Sequence, residues 1–268
     1  MARFKVSLEY EGTRYRGWQL QKNARTVQGE IHHALGSVFK TDDFEFVGSG
    51  RTDAGVHALL QVAHLDVQTM LAPEIIRMKL NDALPSDVNI LEVEKVHPRF
   101  HARHDAVARR YLYQISRRRT ALGKRFVWWI KDDVNIDRMR GAISLFSGMK
   151  NLRSFTDDSG EEKSTKVLID EVAIHESGSL ILVTVRGSHF LWKLVRRIVG
   201  VIVEVGRGTM TVDTVHRFLV TETDEPARYT APPSGLFLEK VYYPGDALQS
   251  TPRPFLLVEP GPGNRRRS

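Results

Sequence analysis

Cysteine is missing altogether from the 268 residues, which excludes a disulfide framework, a thiolate nucleophile and a Cys-ligated zinc, and fits a reducing cytoplasm. Long apolar runs are missing too. The most apolar stretch, Ile198 to Val205, is broken by Gly200 and Glu204 and is too short to span a bilayer. Met1-Ala2-Arg3-Phe4-Lys5 carries no apolar leader. A soluble chain with no membrane partner is therefore expected. There is no Walker-type phosphate loop, no HExxH and no Gly-x-Ser-x-Gly string, so nucleotide hydrolysis, zinc proteolysis and α/β-hydrolase chemistry find no support. Acidic residues are in deficit, 32 Asp plus Glu against 39 Lys plus Arg, and the net charge of +7 calls for a polyanionic partner.

The cations are not spread evenly. Between Arg99 and Arg125 lie Arg99, Arg103, Arg109, Arg110, Arg117, Arg118, Arg119, Lys124 and Arg125, opposed only by Asp105. Arginine suits bidentate phosphate contact and stacking on unpaired bases, and Tyr111 and Tyr113 sit inside the run. A solvated basic face is the plainer alternative. His97, His101 and His104 also fall here, but neither Cys nor convergent carboxylates accompany them, and no metal is expected.

Periodicity predicts an α+β chain. Phe4, Val6, Leu8 and Tyr10 alternate with polar residues as a half-buried strand does. Thr26 opens a helix with Val27, Ile31, Leu35 and Val38 on one face, running to Lys40. Strands over 44–47 and 59–67, a helix over 73–84 and a strand over 88–96 complete a β-α-β-β-α-β order that reads as ferredoxin-like. After a strand over 106–115, Asp133 or Asn135 caps a helix. Strands over 166–175 and 180–186, helices over 190–205 and 212–220 and a strand over 236–242 make a second, similar half. The expected division is 1–105 and 106–243, with 156–166 a mobile loop and 244–268 a disordered basic tail.

Gly48-Ser49-Gly50-Arg51-Thr52-Asp53-Ala54-Gly55-Val56-His57-Ala58 holds a carboxylate between an arginine and a glycine turn, flanked by strands. Glycines at 48, 50 and 55 permit tight or left-handed backbone and close ligand approach, while Arg51 can reach phosphate or base edges. In the plainer reading Asp53 merely satisfies turn amides. The helix from Leu191 to Val203 is apolar nearly all round, so Arg196 needs a carboxylate partner, for which Asp53 is the candidate, unless it snorkels outward with Lys193 and Arg197.

These strings resemble the TruA family of tRNA pseudouridine synthases. The Asp53 segment is similar to that family's catalytic motif, and Leu194-Val195-Arg196 to a Met-Val-Arg-like triplet whose arginine pairs with the catalytic Asp. Gly17-Trp18-Gln19, Arg25-Thr26-Val27-Gln28-Gly29, Ala108-Arg109-Arg110-Tyr111-Leu112-Tyr113 and Gly235-Leu236-Phe237-Leu238 follow in the family's order, so the likeness covers about residues 3 to 243. It departs at Trp192-Lys193 and at Asn151-Leu152-Arg153-Ser154-Phe155, which bears on which uridines are modified. The resemblance implies a pseudouridine synthase fold of two ferredoxin-like halves sharing a central, mainly antiparallel sheet. It implies Asp53 as the catalytic residue, with Tyr111 stacking on the target base, Leu236 beside it, Arg51 holding an everted nucleotide and Arg196 pairing with Asp53. Arg103, Arg109 and Arg110 fall to the RNA backbone. A cytoplasmic homodimer acting on tRNA at anticodon stem-loop positions 38, 39 and 40 follows by the same likeness.

The implied reaction needs no cofactor, being redox-neutral and free of hydrolysis. One carboxylate suffices, whereas a glycosidase uses two flanking acids and water, and no second acid stands near the Asp53 motif. A noncatalytic RNA-binding protein of the same fold is the rival from another class, against which Asp53, Tyr111 and Arg196 all speak.

Overall fold

A computed structural model describes residues 1–157, 164–248 and 251–259. In chain order, the first elements are β1 (Ala2–Tyr10), α1 (Val27–Phe39), β2 (Phe44–Gly48), β3 (His57–Val67), α2 (Pro73–Ala83) and β4 (Val88–Lys95). Next come β5 (Ala108–Ser116), β6 (Trp128–Trp129), α3 (Ile136–Ser144), β7 (Gly148–Asn151), β8 (Lys166–Ser177) and β9 (Leu180–Gly187). Helices α4 (Leu194–Arg207) and α5 (Val212–Val220) precede the last strand, β10 (Leu236–Tyr242). Two compact units result, Met1–Arg109 with Phe237–Leu248, and Arg110–Leu236 with Gln249–Ser268.

In the first unit β1 lies antiparallel between β4 and β3, and β2 pairs antiparallel with the far end of β3, Phe44 opposite Val67. This is the ferredoxin-like order that β-α-β-β-α-β connectivity predicts. Val6 and Leu8 of β1, Ile31 and Leu35 of α1 and Leu80 of α2 are all at most 1% exposed. The Thr26 side chain accepts the Gly29 N–H and so starts α1. Asn81 of α2 exchanges both its amide groups with the backbone of Ile90, at 2.9 and 2.7 Å, fixing α2 on β4.

The place of β10 differs from the sequence division. It pairs in parallel with β3, Phe237 opposite His57 and Leu238 opposite Ala58, and the Phe237 ring stacks on His57 at 4.8 Å. Residues 237–248 therefore belong to the first unit, although the sequence reading closes the second half with them.

The second unit orders its strands β5-β9-β8-β7, with β6 alongside β5. Its helix α3 is capped by Asn135, one of the two candidates. Helix α4 starts at Leu194 instead of near Phe190, because Lys193 adopts a left-handed conformation (φ 61°) that cannot belong to a helix. The tail also differs from expectation. Pro252 and Val258 are buried, and the run Phe255-Leu256-Leu257-Val258 supplies apolar anchoring that overrides the Pro- and Gly-rich composition around it. The rest of the expected tail, 260–268, and the centre of the expected mobile loop, 158–163, lie outside the described residues. No helix among the described residues is long and apolar enough to cross a membrane.

Candidate active site

Asp53 is half-buried on the loop joining β2 to β3, and several residues of the first unit fasten that loop. Ser49 donates from its backbone to Val62 O at 2.7 Å and from its hydroxyl to Gln61 Oε1 at 2.7 Å, while Gln61 Nε2 donates to Gly50 O at 3.1 Å. On the other side Trp18 N–H donates to Thr52 O at 3.0 Å, and Tyr10 and Thr52 share a hydroxyl hydrogen bond of 2.8 Å. Gly55 N–H reaches Tyr15 O at 3.2 Å, and Val56 N–H closes the turn onto Asp53 O at 3.1 Å. Of the three glycines, Gly55 meets the left-handed expectation with φ 79°. Gly48 is needed for a different reason: a Cβ there would stand 2.6 Å from the Trp18 ring. Gly50 has open space.

Arg51, next to Asp53 in the chain, is exposed. Arg109 is otherwise engaged. Its guanidinium donates to Ser49 O (3.0 Å), Arg103 O (2.8 Å) and Ala106 O (3.2 Å), which makes it a brace for the Asp53 loop. Arg103 is exposed. Nearby, His64 is buried, accepts the Ala102 N–H on Nδ1 and has its pKa pushed down to about 4 by burial, with Arg3 adding to the effect. His101 Nδ1 accepts the N–H groups of Arg103 and His104, a turn-satisfying role, and no group of three or more potential metal ligands occurs among the described residues.

The second unit carries the other candidates. Tyr111 on β5 is 9% exposed, with the Phe190 ring edge-on at 4.8 Å. Two residues on, Tyr113 is fully buried, its hydroxyl donating to Pro232 O at 2.7 Å and its pKa raised well above the usual range by burial. Arg196, on the first turn of α4, donates from Nε to Ala231 O at 2.7 Å, and Ala231 N–H returns to Arg196 O at 3.0 Å. The segment that ends in Leu236 is thus gripped by α4 at Ala231 and by β5 at Pro232. A third grip lies at Gly235, where a Cβ would fall 2.6 Å from the Tyr113 ring. That places Leu236, 5% exposed, by backbone contacts that only glycine permits.

Arg110 does not fit its expected role. Its side chain is 0% exposed, its Nε and an Nη donating to Glu171 Oε1 at 3.1 and 2.8 Å. Glu171 also accepts from Arg186 at 2.6 Å. Strand residues alternate between faces, so placing Tyr111 on one face of β5 sends Arg110 to the other. It is a structural ion pair and cannot grip RNA. In the same helix as Arg196, Arg197 is the buried arginine, 3% exposed and paired with Asp157, which also binds Lys193 at 2.7 Å. Sequence reasoning missed Tyr10, Gln61 and Tyr113. Gln61 stands out as a polar residue between Leu60 and Val62, whereas Tyr10, between Glu9 and Glu11, and Tyr113, beside Gln114, carry no such signal.

The first unit thus presents a half-buried carboxylate on a braced loop, and the second a nearly buried tyrosine on β5 and an arginine on the first turn of α4. The chain belongs to the tRNA pseudouridine synthase family, whose model matches residues 6–105 and 142–244. The Asp53 loop falls in the first matched span and Arg196 and Leu236 in the second, while Tyr111 lies between them. A tRNA pseudouridine synthase A of Aquifex aeolicus is 37% identical over 243 residues, covering 90% of this chain and 99% of the relative. Its counterpart in Geobacter sulfurreducens is 37% identical over 245 residues, covering 91% and 100%. That of Levilactobacillus brevis is 35% identical over 255 residues, covering 93% and 96%.

Proposed function

We propose that this chain isomerises uridine to pseudouridine in tRNA with Asp53 as the catalytic residue. Family membership over both matched spans, with a half-buried carboxylate on a braced loop inside the first, carries the reading. The reaction breaks the N1–C1′ bond, turns the uracil and joins C1′ to C5. The proton leaving C5 replaces the one N1 gains, so no water, oxidant or cofactor is consumed. Asp53 attacks the sugar or the base, or takes a sugar proton to give a glycal. Each route needs an ionised carboxylate, and the Asp53–Arg196 pairing implied by the resemblance would keep it so against desolvation. Tyr111 walls the detached base, Leu236 packs beside it and Arg51 holds the flipped nucleotide. The finer parts of the proposal, the anticodon stem-loop as target and a homodimer in the cytoplasm, rest on family resemblance alone.

The test is Asp53→Asn. The amide preserves the loop's shape, so the variant should bind unmodified tRNA like the wild type and make no pseudouridine detectable by carbodiimide-dependent reverse-transcription stops. Turnover by the variant at saturating tRNA would refute the mechanism, and tRNA binding without pseudouridine from the wild type would favour the noncatalytic rival.

A further inference from the structure

The most cationic segment of the second unit, residues 117–127 between β5 and β6, forms neither helix nor strand, yet it is not loosely held. Arg118, Arg119, Lys124 and Arg125 are exposed on it, and Arg119 lies over the half-exposed Trp129 ring at 5.7 Å. Among the described residues no carboxylate is paired with Arg118, Arg119 or Lys124.

What orders this loop comes from the end of the chain. Gln114, wholly buried on β5, donates from Nε2 to Phe126 O at 2.9 Å and accepts the Phe255 N–H on Oε1 at 2.6 Å, so one amide clips loop and tail together. The Phe255 ring packs on Phe126 at 5.0 Å, and Leu256 lies against Gly123, where even an added Cβ would stand 3.1 Å from it. Arg118 Nε donates to Glu259 O at 2.9 Å, and Val258, 3% exposed, accepts the Ser179 N–H at 3.0 Å. Ser179 O in turn accepts from Arg117 N–H at 2.9 Å. Both ends and the middle of the basic loop are thereby tied to Phe255–Glu259.

We propose that Pro252–Glu259 is a strap that pre-orders the 117–126 loop as a phosphate-binding platform for tRNA. The inference rests on tRNA being the substrate. Its physical content is entropic: cations held at fixed spacing bind a polyanion without the cost of ordering a flexible loop on contact. The exposed Trp129 face beside Arg119 offers stacking to an unpaired base. An acidic protein surface is a poorer fit, because guanidinium groups beside an exposed indole ring match phosphate with base more closely than carboxylate alone.

The test compares tRNA affinity across a salt series for four full-length proteins: wild type, Arg118→Ala/Arg119→Ala/Lys124→Ala, Phe255→Ser/Val258→Ser, and the combination. The charge variant should bind about tenfold or more weakly at moderate salt and lower the slope of log affinity against log salt by about 2. The strap variant should shift both in the same direction, and the combination should be no worse than the charge variant. Hydrogen exchange on the wild type adds a readout independent of any variant's folding, since tRNA should slow exchange of the 117–126 amides. Unchanged slope, additive losses or no protection of the loop would each overturn the proposal. An inactive wild type would sink the catalytic reading instead, and these binding measurements would still judge the platform.

Discussion

The two units hold their candidate residues by different means. On the Asp53 loop the hydrogen bonds described come from a serine hydroxyl and a glutamine amide, from tyrosine and threonine hydroxyls and from backbone N–H groups, and Arg109 adds a guanidinium on a carbonyl. In the second unit the partners are charged: the buried Arg110 and the nearly buried Arg186 meet on Glu171, and Asp157, one third exposed, holds Lys193 and the buried Arg197. Neutral braces fix a loop without setting charge against the carboxylate it carries. Buried ion pairs fix a strand firmly but fail as a unit, since removing one partner strands the other in low dielectric. The first unit should thus lose function in small steps and the second lose its fold in large ones.

The largest effect expected is at Glu171. Glu171→Ala takes the carboxylate from the wholly buried Arg110, while Arg186 keeps Asp170 at 3.0 Å, and should cost about 3 kcal/mol in denaturant unfolding. A loss under about 1 kcal/mol would mean that the pair is not a support of β5.

Next in size is a pH effect in the first unit. Folding holds His64 neutral down to about 4 against an ordinary value of 6.5. The depressed pKa means that stability is complete above about 6.5 and falls as pH drops towards about 4, levelling off below it, by up to about 3 kcal/mol at 1.36 kcal/mol per unit. Thermal denaturation between pH 7 and 4 should show that slope, and His64→Asn should flatten it.

Gly235→Ala comes third, at about 1–3 kcal/mol, because the added methyl must push the Tyr113 ring or the Gln114 carbonyl aside. The readout that separates it from plain overpacking is the single-turnover rate, which should fall as Leu236 shifts.

The smallest stability change, about 1 kcal/mol, belongs to Tyr10→Phe, which deletes the hydroxyl bound to Thr52. There the comparison is sharpest. Turnover at saturating tRNA should drop with tRNA affinity unchanged, and a variant indistinguishable from wild type in rate would remove Tyr10 from the brace.

Much of this architecture was legible in the chain. Period-2 alternation marked β1, Thr26 and Asn135 marked helix starts, and the Asp53 string marked the loop. What escaped had a physical reason each time. Arg110 reads as a surface cation because β5 is covered on both faces and carries no polar alternation to reveal which side a charge takes. The start of α4 was misplaced because a left-handed lysine leaves no compositional trace. The strap was hidden by Pro and Arg on either side of a four-residue apolar run. No single-residue signal announces that Gln114 bonds two segments lying 12 and 141 positions away.

The parallel seat of β10 on β3 bears on how the molecule is made. A ribosome must deliver some 237 residues before Phe237 can reach His57, so the strand that issues from the Asp53 loop waits through most of translation with that stretch of its edge uncovered. A nascent chain that has completed only its first hundred residues owns the carboxylate, the glycine turn and the hydroxyl brace, yet lacks the flank that finishes the sheet beneath them. The sheet beneath the Asp53 loop should therefore be completed late and in one step.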